Sequence, residues 1–172
     1  MDVLPPLLRS VALGGALLAL AACGSGGLGA ERPCTAIGSS PGLSVSVKPP
    51  DASRVASASL RVCWDGTTCR EPTIELRPSS TTVPMGCDGD GPDAACAASA
   101  SPDGGKTGFA QVEGLPKSPV QVTLTLRDAQ GRTLVDRRVD VTPAATFPNG
   151  EHCGEGGPQA ALTVADGTVT VR

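Results

Sequence analysis

The chain has 172 residues and a formal net charge of −3, with 14 basic against 17 acidic side chains. Its basic residues are scattered, which excludes the clustered Lys/Arg footprint of a nucleic-acid binder and the basic amphipathic helix that lies directly on lipid. Aromatic residues are limited to Trp64, Phe109 and Phe147, so the core must be built from Val, Leu and Ala, and platforms for stacking sugars are scarce.

Val11 to Ala22 is an apolar run of 12 residues. A bilayer-spanning helix needs about 20, whereas a signal-peptide apolar region needs roughly 7–15. The run ends in Leu20-Ala21-Ala22-Cys23, which matches a bacterial lipobox. The small Ala21 and Ala22 suit a narrow peptidase site, and the Cys23 thiolate would take the lipid. Residues 1–22 are therefore expected to be a lipoprotein signal peptide. The competing reading is secretion with cleavage at an Ala-x-Ala-like site. Two acyl chains suffice for stable anchoring, so a lipid on Cys23 would hold the protein at the extracytoplasmic face of the cell membrane. Gly24-Ser25-Gly26-Gly27 follows, and such composition makes a flexible tether, assigned here to residues 23–33. The remainder, 34–172, is one domain by length.

Within 34–172 the apolar period is two. Leu43, Val45 and Val47 alternate with Ser44 and Ser46; Ala58, Leu60, Val62 and Trp64 alternate with Ser59, Arg61 and Cys63. Ile74 and Leu76 continue the pattern. So do Val120, Val122, Leu124 and Leu126, then Val135, Val139 and Val141, although Arg137 shares their parity. Leu162 and Val164 are followed by Val169 and Val171. These runs, broken by Pro, Gly and Asp, predict half-buried antiparallel strands. The expected fold is an all-β, antiparallel, Ig-like β-sandwich, with Leu60, Val62, Trp64, Ile74, Val122, Leu124, Val139, Leu162, Val164 and Val169 in its core. Asp166-Gly167 suits a two-residue hairpin turn that sets Val164 opposite Val169 and Leu162 opposite Val171. Around Asp65-Gly66 a two-residue turn would scramble the faces. A one-residue shift aligns the apolar positions, pairs Cys63 with Cys69 and places Ala58 opposite Ile74.

Once Cys23 is set aside, six cysteines remain. An even number outside the cytoplasm reads as three disulfides. Strand register favours Cys63–Cys69. Cys87–Cys96 would close the turn-rich stretch 88–95. Elimination leaves Cys34–Cys153.

Few residues suggest site chemistry. Asp88, Asp90 and Asp93 are a weak metal candidate: oxygen ligands on a Gly-rich loop suit Ca²⁺, but the EF-hand positions five, six and twelve are not met. A solvated turn is the simpler reading. His152 is the sole histidine, and no Gly-x-Ser-x-Gly elbow accompanies it. Without Cys-x-x-Cys spacing, a zinc site lacks its usual form. Gly104-Gly105-Lys106-Thr107 resembles the end of a P-loop without its first Gly, and Pro102-Asp103-Gly104-Gly105 is expected to form a hairpin turn. The expectation is a non-enzyme without a cofactor.

Gly108-Phe109-Ala110-Gln111-Val112-Glu113-Gly114-Leu115-Pro116, followed by Val120 to Gly131, resembles the Ig-like or fibronectin-like modules of secreted bacterial proteins. With the lipobox and the Ala/Gly/Arg-rich composition, the chain resembles secreted lipoproteins of Streptomyces-type actinobacteria. The resemblance implies location and fold and supplies no site. The leading expectation is a non-catalytic, lipid-anchored module contacting an envelope protein or wall polymer. The alternatives are a ligand- or metal-binding lipoprotein serving a transporter or sensor, and a hydrolase inhibitor displayed on loop 86–96.

Overall fold

The alternating runs form ten strands among the described residues, which in this computed structural model are 33–172. The lipobox and Cys23 lie outside them. One sheet holds β1 (Gly42–Val47), β4 (Arg77–Cys87), β5 (Cys96–Gln111), β8 (Ala144–Thr146), β9 (Gly156–Ala165) and β10 (Thr168–Val171), ordered β10-β9-β1-β5-β4 with β8 on β9. The other holds β2 (Ser57–Trp64), β3 (Thr68–Arg70), β6 (Val120–Arg127) and β7 (Thr133–Val141), ordered β3-β2-β6-β7.

The core lies where the inward parities of the two sheets meet. Leu43, Val45, Val47, Ala110, Leu162 and Val164 come from the first sheet; Leu60, Val62, Val120, Val122, Leu124 and Leu126 come from the second. All twelve are buried, as a sandwich of half-buried strands requires. Trp64, Ile74, Val139 and Val169, expected in the core, are only partly buried against its margin. Val139 and Val169 sit on the edge strands β7 and β10, which are covered from fewer sides. Trp64 ends β2, and Arg70 lies 5.7 Å over its ring.

Seven of the eight strand pairings among the described residues are antiparallel. The exception is β1 with β9, which run parallel from Gly42↔Gln159 to Val47↔Val164. Immunoglobulin sheets are ordered ABED and CFG, so this strand order adds no support to the finer Ig-like assignment. The sandwich itself is as the alternation predicts. So is the β9–β10 hairpin: Ala165 pairs with Thr168, Val164 with Val169 and Leu162 with Val171, and Asp166 and Gly167 both take the positive φ that a type I′ turn demands.

The β2–β3 hairpin follows the shifted register, with Cys63 opposite Cys69 and the two bonded. It is shorter than the sequence suggests. Pairing stops at Val62↔Arg70, and Ala58 faces Leu126 of β6 instead of Ile74. Beyond Arg70 the chain meets Pro72, which has no N–H to donate, and residues 71–76 cross to the other sheet. There Glu75 and Ile74 pass so close to Gly108 that a Cβ on Gly108 would lie 2.5 Å from the Glu75 carbonyl oxygen.

The short helix α1 (Asp51–Arg54) closes one end of the core. Asp51 is 4% exposed. It accepts hydrogen bonds from the Gly167 amide at 2.8 Å and Arg54 Nη2 at 2.6 Å, tying α1 to the β9–β10 turn. The Gly167 amide, then the Arg54 guanidinium, holds its carboxyl below the usual range. An acid with a depressed folded pKa contributes stability that is present above its unfolded value, about 3.9, and is lost as pH falls through the folded value. Asp51→Asn should therefore flatten the acid limb of the stability curve below about pH 4, followed by denaturant midpoints at stepwise lower pH. An acid limb identical to wild type would show that Asp51 does not carry this dependence.

Candidate functional site: a two-stranded arm

Strands β4 and β5 do two jobs. From Lys106 to Gln111, β5 pairs with β1 inside the sheet. Beyond Pro102 it pairs with β4 alone, from Ser80↔Pro102 to Cys87↔Cys96. Of the eleven residues of β4, only Ser79 is even partly buried, and Cys96–Ala100 are all exposed. The outer ribbon therefore shows both faces to solvent, and β4 is an edge strand.

The root of this arm is a bulge. Ser79 stands alone between Pro78↔Lys106 and Ser80↔Pro102, so it faces Asp103, Gly104 and Gly105. The hairpin turn expected at residues 102–105 is thus absent; those residues lie within β5. Turn chemistry is used all the same: Gly104 takes a positive φ of +74°, as glycine does in one class of bulge. Asp103 accepts from Ser79 Oγ and from the Gly105 amide. Those two bonds, the first the larger, hold its carboxyl below the ordinary range. Lys106 Nζ donates to the Val55 carbonyl, so the P-loop-like string is a structural anchor for the root.

At the tip, Cys87 and Cys96 are paired and bonded. The loop they close is ordered by Asp88 N to Ala95 O at 2.9 Å and Ala94 N to Gly91 O at 3.1 Å. Asp88, Asp90 and Asp93 are exposed on it, and they are not among the described side chains whose ligand atoms gather within 4.8 Å. An isolated two-stranded ribbon is marginal in water, so the tip bridge must supply much of the arm's order. Replacing both cysteines by Ser should lower amide-exchange protection in 80–87 and 96–101 while leaving the denaturation midpoint of the body almost unchanged. An equal loss in both would mean that the arm and the body unfold together.

The other singled-out residues do not converge on the arm. Cys34 and Cys153 are each disulfide-bonded and offer no thiolate. His152 is exposed in a single 3₁₀ turn, Glu151–Cys153. Nearby Glu155 pairs with Lys117 at 2.6 Å. Depressions among the described residues are open: about 570 Å³ beside Thr73, Arg77 and Phe109, and about 460 Å³ beside Trp64, Gln121 and Asp140. The arm was missed because its residues have no single buried face, so no alternating apolar signal marks them. The one available clue was the pair Cys87 and Cys96, flanked on the outside by the uncharged stretches 78–86 and 97–102.

Comparison with known protein families, curated proteins and solved structures returns no match.

Proposed function

We propose that this protein is a lipid-anchored extracytoplasmic interaction module, held to the membrane through Cys23 and contacting an envelope protein or wall polymer through the β4–β5 arm. The supporting observation is a stapled ribbon that packs on neither face, with Val83 41% and Met85 69% exposed. Exposed apolar side chains on an ordered protrusion mark an interaction surface more than they serve a core. The lipobox supports the anchoring half of the reading.

The same arm favours one second reading. A loop closed by Cys87–Cys96 and raised on a ribbon has the form of a surface-displayed hydrolase inhibitor, because a pre-ordered loop loses little entropy on docking.

The anchor is tested by mass spectrometry of the mature protein, which should show an acylated N-terminal Cys23. Cys23→Ala should release a folded domain into the soluble fraction. The arm is tested by a photo-crosslinking amino acid at Met85 in intact cells. A discrete crosslinked species is expected there and not at exposed Gln130 on the body. If Met85 captures nothing, the arm is not the contact surface; if it captures a hydrolase whose activity the protein suppresses, the inhibitor reading holds.

A further inference from the structure

The chain's charge is divided unevenly. Residues 78–105 contain Asp88, Asp90, Asp93 and Asp103 and no Lys, Arg or His. Asp103 is engaged at the root by Ser79 and Gly105. The three tip carboxylates take part in none of the ion pairs among the described residues. With those three set aside, the other 14 acidic side chains equal the 14 basic ones. In number, the three tip carboxylates equal the chain's net charge of −3.

The edge of the arm is built differently from its faces. A long free edge strand invites an added strand. Here Pro78 and Pro84 remove donors from β4, and the register slips between Pro84 and Gly86. These features leave a donor stretch too short and irregular for strand addition. Recognition must then use the side chains: Val83 and Met85 on the ribbon, and the carboxylates just beyond them.

Resting on the interaction reading above, we propose that the arm docks on a Lys/Arg-rich segment of a partner polypeptide. Asp88, Asp90 and Asp93 would face its cations, with Val83 and Met85 against its apolar side chains. Complementary charge on a projecting tip steers encounter and orients the partner. The exposed apolar pair adds contact that salt does not screen.

The test uses the full chain in nonionic detergent and a fluorescein-labelled peptide of alternating Lys and Leu, read by anisotropy, with a Glu/Leu peptide as control. Wild type should bind the basic peptide with a salt-dependent Kd and ignore the acidic one. Asp88→Asn/Asp90→Asn/Asp93→Asn should weaken binding about tenfold or more and remove most of the salt dependence. Val83→Ser/Met85→Ser should weaken it several-fold while keeping that dependence. Glu113→Gln/Asp136→Asn/Asp140→Asn removes the same charge from exposed positions of the body and should leave Kd within about twofold, since charges beyond a Debye length are screened. Each variant should keep the wild-type strand circular dichroism spectrum. An equal loss in the body variant, unchanged binding by the tip variant, or displacement of the peptide by 1 mM Ca²⁺ at constant ionic strength overturns the proposal. Crosslinking at Met85 separates this from the broader reading. A crosslink that survives in the tip triple variant sinks the cationic partner and leaves the interaction arm standing. No crosslink in wild type removes the arm as a contact surface altogether.

Discussion

Leu124→Ala should lower the unfolding free energy by about 2–5 kcal/mol, the range for emptying a large aliphatic site in a packed core. Leu124 is fully buried at the centre of β6. It faces Leu60 on β2, while its β7 partner Arg137 is exposed and cannot fold back to fill the space without burying a charge. The site therefore has little capacity to collapse, and collapse is what lowers the cost. Urea denaturation followed by circular dichroism measures the change, with an unaltered denaturant slope confirming that the shift is one of stability. A cost within error would mean that Leu124 does not carry the core contacts described.

The second large effect is expected at Gly108. An added Cβ would meet the Glu75 carbonyl oxygen at 2.5 Å, Ile74 Cγ1 at 3.0 Å and the Glu75 carbonyl carbon at 3.2 Å. Two of these three atoms are backbone, so no rotamer change relieves the clash. Gly108→Ala should then push the 71–76 crossover off β5 and cost about 1–3 kcal/mol, as overpacking does. Gly91→Ala is the matched control, since a Cβ there meets nothing within 4 Å and Gly91 needs no positive φ. Calorimetric unfolding of both variants decides the matter: a small Gly108 effect would show that the crossover does not rest on β5. The displaced crossover leads directly into β4, so amide exchange at the root of the arm should quicken in the same variant.

Much of the sandwich was legible in the chain. Alternation at Leu43–Val47, Ala58–Trp64 and Val120–Leu126 specifies strands, because side chains of successive residues point to opposite faces and only one face is buried. Register was legible at two hairpins. Asp166-Gly167 tolerates the positive φ of its turn, and Cys63 had to meet Cys69 for the apolar parity to agree. The β6–β7 turn is encoded as locally: Asp128 accepts from the Gln130 and Arg132 amides at 2.9 Å each and from Arg132 Nε at 2.7 Å.

Other features depended on partners distant in sequence. Nothing local tells β1 to run parallel to β9, because that pairing joins residues more than a hundred positions apart. Ile74 and Leu76 carry the same alternation as a strand, yet they fall in the crossover. Their fate was set by Pro72, which has no N–H to continue the pairing along β2, and by the absence of a side chain at Gly108, which lets the crossover lie close to β5. The stretch 102–105 has turn composition and forms a bulge, since a glycine at positive φ, as Gly104 is, serves either a hairpin turn or a bulge and only the partner strand distinguishes them. The sequence by itself determined the inward parity of β1, β2, β6 and β9 and the tight turn at Asp166-Gly167, because these depend on side-chain period and local backbone sterics. Only the tertiary structure decided that β4 and β5 continue past the sheet as an arm, because a ribbon exposed on both faces leaves no buried face for a hydrophobic pattern to record.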